Sequence, residues 1–458
     1  MKKSLLFFVF LTTVLAHAQD FWTEYSTAQP FIATGVRSIS IVDQNTTWLT
    51  MYDATIGEEL RSFSKTINGG TLWTFGLIDF GVNSDNYGIS YIHGVSSSVA
   101  YASVFANGIP AQGGIFKTED GGITWTRQSS ASFSGNNSYP HLVYFWNANE
   151  GLTIGDPVDG YYEIYITSNG GDLWTRLAST PTIVPLSNSE YLTPNVFEVN
   201  DNTIWVGTSF GRILKSADKG LTWTVSQSPI PSFGGAGVSA GSGNFAFSDL
   251  SNGLLQTKDY HLYKTGDGGT TWTEIFYSGF VRNFNIAAVP GMPETYITVG
   301  IQDFPIVDER GSSYSIDGGL TWTSINNNPD TNFVDGSVIE MLNEDHGFAG
   351  GFDQNSTDQG IFNWGGGALL RQAQLAVSDF SDEHSMAISP NPTLGMLNIT
   401  GKKITQIAVN DVLGKQIMNQ TYNALETVNL ELDFLISGIY ILRVTNAEGT
   451  FVSKVIKK

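Results

Sequence analysis

The sequence predicts an all-β protein: a seven-bladed β-propeller closed by its own N-terminal strand, followed by a small immunoglobulin-like β-sandwich. Three observations carry this expectation. Strand and turn formers dominate, with 50 glycines and 11 tryptophans among 458 residues, a balance suited to short strands joined by tight turns. A phrase ending in tryptophan recurs at a nearly constant interval, and repetition every roughly 20–50 residues marks a modular array. The final 73 residues lack that phrase and alternate apolar and polar residues in their own pattern.

The chain opens with Lys2 and Lys3, an apolar run over 5–15, and then Ala16-His17-Ala18. A basic start, a short apolar core and small residues two apart are what signal peptidase reads, so residues 1–18 are expected to be a signal peptide cleaved after Ala18. The apolar run is shorter than the roughly 20 residues a spanning helix needs. No later segment is long and apolar enough either, so no integral membrane segment is expected.

The repeated phrase occurs at 66–73 (TINGGTLW), 118–125 (TEDGGITW), 167–174 (TSNGGDLW), 216–223 (SADKGLTW), 265–272 (TGDGGTTW) and 315–322 (SIDGGLTW). Its tryptophans, Trp73, Trp125, Trp174, Trp223, Trp272 and Trp322, are 52, 49, 49, 49 and 50 residues apart. Each residue type has a mechanical task. The side-chain oxygen of Asn68, Asp120, Asn169, Asp218, Asp267 or Asp317 can accept from backbone N–H groups a few residues on, and the glycine behind it takes the positive φ of a tight turn. Serine or threonine ends the strand before, and the strand after sends Trp to one face and its neighbours to the other. The phrase resembles the Asp-box, the BNR repeat of bacterial neuraminidase-type and related β-propellers. That resemblance implies a turn between the third and fourth strands of a blade, with structural carboxylates at the outer rim, away from the axial site.

About 49 residues and four strands per period make one propeller blade. Other strands are read at 37–42 with 47–52, 149–154 with 161–167, and 203–208 with 212–216. Counting back 51 residues from Trp73 lands on Trp22, in register with the series. After Trp322 three more strands are read near 336–342, 347–352 and 359–364, with no seventh phrase behind them. A seventh blade assembled from both ends of residues 19–366, with Trp22 on its outermost strand, would pair an edge otherwise open to aggregation.

Residues 367–385 read as a linker with at most a short helical turn. From 386 onward, six or seven short strands of a sandwich are expected. Pro390, Asn391 and Pro392 with Gly395, then VNDVLGK containing Gly414, then LISGIY containing Gly438 and Tyr440, then the basic end at 454–458, resemble the C-terminal sorting domain of the type IX secretion system. The resemblance implies export in two steps from a Gram-negative cell, with the type IX secretion machinery as partner and a product attached to the cell surface or released. A carbohydrate-binding or adhesive sandwich is the competing reading of 386–458.

Net charge is −20, and because the signal and the tail each carry +2, the span between them holds about −24. Such a surface repels nucleic acid and anionic lipid and suits solubility in an extracellular medium. The absence of cysteine removes disulfides and thiolate metal sites. The sequence has no Asp-x-Asp-x-Asp-Gly calcium loop and no Gly-x-Ser-x-Gly elbow, and its six histidines are scattered. Neither a metal nor a cofactor is expected.

Fold alone licenses no activity. The neuraminidase resemblance implies three arginines around a sugar carboxylate, a tyrosine nucleophile polarised by a glutamate, and an aspartic acid. Arg127 and Arg176 follow phrase tryptophans, and Arg61, Arg212 and Arg371 fall before a phrase, at a strand turn and in the linker. That leaves Arg37, Arg282 and Arg310 as a cluster, with Glu190 and Tyr191 as the pair. The Arg-Ile-Pro phrase usual in that family is absent, since Arg37 sits in GVRSIS, which tells against a sialidase. Asp156, Asp159, Asp303 and Asp308 in loops are candidates for a two-carboxylate glycosidase, weighed against ordinary turn-forming aspartates. The run 150–174 is also similar to propellers of the photosystem II assembly-factor type, which are binding scaffolds. The function expected is recognition of glycan or protein by loops that include the aromatic-rich 139–146 and 187–195. A glycoside hydrolase acting on extracellular polysaccharide is the alternative.

Overall fold

The computed structural model describes residues 21–30, 34–53, 55–81, 84–106, 113–133, 139–178, 183–234, 241–302, 309–325, 338–350, 360–375, 387–411, 415–446 and 449–458. The signal segment with Ala18, and also Asp303, Asp308 and Gly414, lie outside them. Two compact units divide between Arg371 and Gln372.

Among the described residues the first unit holds seven sheets, five of them four-stranded meanders in which chain order is strand order. The first runs Thr34–Ile41, Thr47–Asp53, Glu58–Thr66, Trp73–Leu77. The next four begin at Tyr87–Gly94, Pro140–Phe145, Leu192–Asn200 and Gly243–Phe247. The sixth begins at Asn285–Ala288, and Ser278–Gly279 adds to its last strand in parallel. The seventh is composite: Val338–Asn343, His346–Gly350 and Gly360–Trp364 are followed by Trp22–Ser26, paired from Trp22↔Trp364 to Ser26↔Gly360. About 340 residues of chain separate these two strands.

The apolar cores lie between consecutive sheets. Trp48, Phe63, Ile92 and Phe116 join the first to the second, Tyr101, Phe145 and Trp174 the second to the third, and Val36, Leu49, Val338 and Ile361 the first to the composite sheet. A strand covered on both faces reads as a continuous apolar run and not as an alternation; Ala100–Ala106 is buried at six of its seven positions. Polar links accompany the apolar ones. Lys65 Nζ donates to Gly121 O at 2.8 Å, Tyr101 OH to Gly170 O at 2.6 Å and Trp205 Nε1 to Gly268 O at 2.9 Å. Lys219 pairs with Glu150 at 2.6 Å and Lys264 with Glu294 at 2.9 Å. From the composite sheet, Trp22 Nε1 donates to Ser312 Oγ of the sixth sheet at 2.8 Å, and Asn363 Nδ2 to Gly69 O of the first at 2.8 Å.

Each of the six phrases is the turn between the third and fourth strands of its sheet. In the first, the Thr66 hydroxyl donates to Asn68 Oδ1 (2.9 Å) and accepts from the Gly70 N–H (3.0 Å), while Asn68 Oδ1 accepts from the Leu72 N–H (3.0 Å). The same hydroxyl bridge recurs at Thr118, Thr167, Ser216, Thr265 and Ser315. Where the acceptor is aspartate, its second oxygen takes the hydroxyl of Thr124, Thr222, Thr271 or Thr321. Where it is asparagine, that position is Leu72 or Leu173, because an amide NH2 cannot accept from a hydroxyl. The residue after Asp or Asn has φ of +66° to +77° where it is glycine, and Lys219 takes the same place at +58°. Trp73, Trp125, Trp223 and Trp322 close the turn by donating from Nε1 to the second glycine's carbonyl at 2.8–3.3 Å.

Helix Gly367–Leu375 stands in the segment read as a linker, and Arg371 pairs there with Asp345 at 2.7 Å. In the second unit the strands are Ala387–Ser389, Met396–Asp411, Gln416–Glu431, Gly438–Asn446 and Gly449–Lys457. Six or seven short strands were expected; among the described residues there are five, two of them sixteen residues long. The long pair stays in one ladder through three register shifts, two between Thr400 and Gln406 and one between Val409 and Asn410. Leu397, Ile399, Ile407, Val409, Leu430 and Leu442 form the core. Asn391 behaves as a strand residue through its side chain: Nδ2 donates to Lys454 O at 2.7 Å and Oδ1 accepts from the Ile456 N–H at 2.9 Å. Gly395 has φ of +157°, and a Cβ there would strike Asp433. Tyr440 OH donates to Ile436 O at 2.9 Å, just before Gly438.

Candidate functional site

The first strand of every sheet in the first unit contributes to the wall of one cavity of about 470 Å³. Its contributors include Ser38 and Ile41, Tyr91 and His93, Tyr144, Asn195 and Glu198, Asn244 and Phe247, Asn285, and Glu340. Four carboxylates line it, Glu198, Asp201, Asp249 and Glu340, and no lysine or arginine does so among the described residues. Asp249 is committed to its own turn, accepting from the Ser251 and Asn252 N–H groups at 2.7 and 2.8 Å.

Glu198 and Glu340 are set otherwise. Glu340 is exposed to the water of the cavity that it lines. Loss of bulk solvation pushes its carboxyl up to about 7. Desolvation raises Glu198 well above the ordinary carboxylate range, and the neighbouring Glu340 charge adds to it. Burial moves the phenol of Tyr91 upward and that of Tyr144 to about 12, with both glutamates contributing. Burial pushes His93 down to about 4, so it is neutral near neutral pH; its Nε2 lies 3.2 Å from Phe145 O. The cavity therefore presents two glutamates, each raised above the ordinary carboxylate range, beside two neutral phenols.

Among the described residues, the candidate catalytic residues named from the sequence do not line this cavity. Arg37 is ion-paired with Glu59, its Nε at 3.1 Å from Oε1, and Asn195 Nδ2 donates to its carbonyl at 2.8 Å. Asp156 accepts from the Leu192 N–H at 3.0 Å and lies 2.9 Å from His141 Nε2. Glu190 is held by Arg212 at 2.9 and 2.7 Å and by the Leu186 N–H at 2.6 Å. Desolvation draws its carboxyl upward, but these donors outweigh it and leave it below the ordinary value. Arg212, set aside in the sequence as a turn residue, is thus the partner of Glu190, which leaves that carboxylate committed and not polarising Tyr191. The backbone N–H of Tyr191 donates to Ser209 Oγ at 3.1 Å.

Arg282 is fully buried, with Nη2 donating to Ser324 Oγ at 3.0 Å. Asp159 sits at positive φ in the turn between Gly151–Val158 and Tyr161–Thr167. The side chain of Arg310 lies outside the described residues, so of the three arginines two are placed, and both have partners. The stretch 139–146, expected as a loop, is largely strand Pro140–Phe145. Phe145 stacks on Tyr101 with centroids 4.0 Å apart, Tyr139 on Phe105 at 4.4 Å, and Tyr144 packs against His93 at 4.6 Å. These aromatics fill the space between sheets and line the channel.

Glu198 and Glu340 were missed in the sequence. The signal that could have found them is a lone carboxylate within an apolar first strand, VFEVN and VIEML. Among the described residues no group of three or more His, Asp or Glu could hold a metal ion, and no helix is long and apolar enough to cross a membrane.

Residues 387–458 match the family model described as a secretion system C-terminal sorting domain. No curated protein matches the sequence. Among solved structures, the chain is similar to YCF48 bound to D1 peptide, at 15% identity over 76% of this chain and 96% of that one, with a TM-score of 0.52. It is also similar to YCF48 from Cyanidioschyzon merolae, at 17% identity over 75% and 98%, with a TM-score of 0.51. The first unit thus has a β-propeller fold, and the chain ends in a type IX secretion sorting domain, which indicates export to the cell surface or extracellular space.

Proposed function

We propose that the chain is an exported recognition scaffold of a Gram-negative bacterium, a closed seven-bladed Asp-box propeller that binds a glycan or protein ligand at its central channel. Residues 1–18 act as the signal peptide, cleaved after Ala18. Residues 19–366 form the ring, 367–385 lead out of it, and 386–458 are read by the type IX machinery. The strand containing Trp22 closes the ring as the fourth strand of the last blade. The observation that carries the reading is the channel itself: inner strands of all seven sheets wall it, and its carboxylates have no basic partner among the lining residues. A rigid concave site with a few converging polar groups is the usual form of a binding site.

Because the fold neighbour YCF48 is known bound to the D1 peptide, the probes include peptides beside glycans. The mature chain is expected to retain a ligand on a glycan or peptide array, with retention weakened in the Glu198→Gln and Glu340→Gln variants. Retention unchanged in both variants would move the site off the channel.

A second reading has one observation in its favour. Two glutamates with raised pKa values, one near neutrality, are the kind of pair that divides general acid and base work in glycoside hydrolysis. Turnover of any member of a glycoside panel, abolished by Glu340→Gln, would replace the scaffold reading with this one.

A further inference from the structure

We propose that the outer edge of strand Gln416–Glu431 is the recognition edge of the sorting domain, to which the export machinery adds a β-strand of its own. The inference rests on residues 387–458 directing export. Gln416–Glu431 pairs with Met396–Asp411 along one side, and among the described residues no strand pairs its other side. Along an antiparallel strand every second residue turns its N–H and C=O outward, so an uncovered edge is a row of unmet donors and acceptors.

Proteins blunt such edges with lysine, proline or short length. This edge has neither lysine nor proline over its first ten residues: 416–425 (QIMNQTYNAL) carry no charge, the strand is sixteen residues long, and its register shifts fall beside Ile417 and between Thr421 and Leu425. Ile417 and Leu425 are exposed on it, 38% and 44%. The same domain treats its other long edge in the opposite way. Along Gly449–Lys457, the Asn391 amide bonds Lys454 O and the Ile456 N–H, Thr393 N–H donates to Ile456 O at 2.9 Å, and Lys458 N–H donates to Thr393 O at 2.9 Å. The remaining edge strand, Ala387–Ser389, is three residues long. A domain that covers one edge with its own Pro-Asn-Pro segment and leaves the first ten residues of the other uncharged and, among the described residues, unpaired is built to take a strand there.

The occupant that fits is an extended, uncharged segment of the component that selects cargo. Main-chain bonds would supply the affinity, and the exposed apolar side chains at 417 and 425 the register. A second copy of the chain could pair there too, but cargo pairing with cargo does not sort it.

The test uses the full chain produced in a bacterium that runs type IX secretion, with the extracellular fraction as readout. The double variant Ile417→Lys, Thr421→Lys should lower export by about ten-fold or more, while Ile417→Val, Thr421→Ser exports normally and the purified lysine variant keeps its melting temperature. A photo-cross-linking residue in place of Thr421 should join the chain to an outer-membrane component of the system. Normal export of a folded lysine variant overturns the proposal, as does a cross-link only to a second copy of the chain. If the lysine variant fails to fold, the cross-link decides. Export that survives deletion of 387–458 would overturn the sorting reading itself, a failure distinct from that of the edge.

Discussion

At each of the six turns a buried hydroxyl holds the corner by donating to the Asp or Asn and accepting a glycine N–H. Ser216 is 1% exposed and accepts from the Gly220 N–H at 2.8 Å. Ser216→Ala strands that N–H in a dry place and should cost about 1–2 kcal/mol in a denaturant titration. Ser216→Thr, the residue used at four other turns, should cost far less. The carboxyls divide into two sets that act in opposite pH ranges. Hydroxyl and backbone donors at the turn hold Asp120 and Asp267 at about 2, below the ordinary 3.8. Depressed values mean that their contribution is complete above pH 4 and is lost as pH falls through about 2. Glu340 is raised from 4.5 to about 7, so it opposes folding increasingly as pH climbs between those values. Glu340→Gln should therefore melt higher than the unmodified chain at pH 8, with the gap shrinking toward pH 5. A gap equal at both pH values would show that desolvation of Glu340 is not the cause.

At the scale of the element, the composite sheet concentrates long-range contacts in one short strand. Trp22 is 5% exposed, packs edge-on against Trp364 with centroids 4.9 Å apart, and donates to Ser312 in the neighbouring sheet. Trp22→Ala removes a large buried ring and orphans the Ser312 side, a loss of about 3–5 kcal/mol by analogy with other buried aromatics. Deletion of 21–26 should lower the melting temperature further, and a deletion that melts like the intact chain would refute the proposed closure. In the sorting domain, Asn391→Ala unmasks the Gly449–Lys457 edge and is expected to increase self-association, measurable by light scattering, with little change in the core. Part of this was legible in the text. Trp22 is in step with the six phrases, so its strand could be assigned by counting. The exchange of Thr for Leu beside Asp and Asn was also written there, but its meaning needs the second carboxylate oxygen and its hydroxyl donor to be seen together.

For the molecule as a whole, the two units carry separate cores, and the chain should unfold in two transitions by calorimetry. A chain stopped after Leu375 is expected to keep the transition of the first unit at its original temperature and to remain inside the cell. Loss of both transitions on truncation would mean that the first unit depends on the second for its stability. The links between consecutive sheets, from Lys65 on Gly121 round to Asn363 on Gly69, spread the load over many modest bonds. That arrangement suits the recognition role proposed above, in which the cavity must keep its shape.

By itself the sequence determined the period, the turn chemistry, several of the strands beside the repeated turns and the export tail, because each is local: a few adjacent residue types suffice to specify a turn, a strand or a motif. The tertiary structure decided which residues share the candidate site. Glu198 and Glu340 are 142 residues apart and become coupled only when the inner strands of the fourth and seventh sheets share a channel. Neither stretch of sequence hints at the other. The same holds for Glu190, which reads as the neighbour of Tyr191 but is the ion-pair partner of Arg212. Pairing in space follows from the packing of whole sheets, and adjacency in sequence does not encode it.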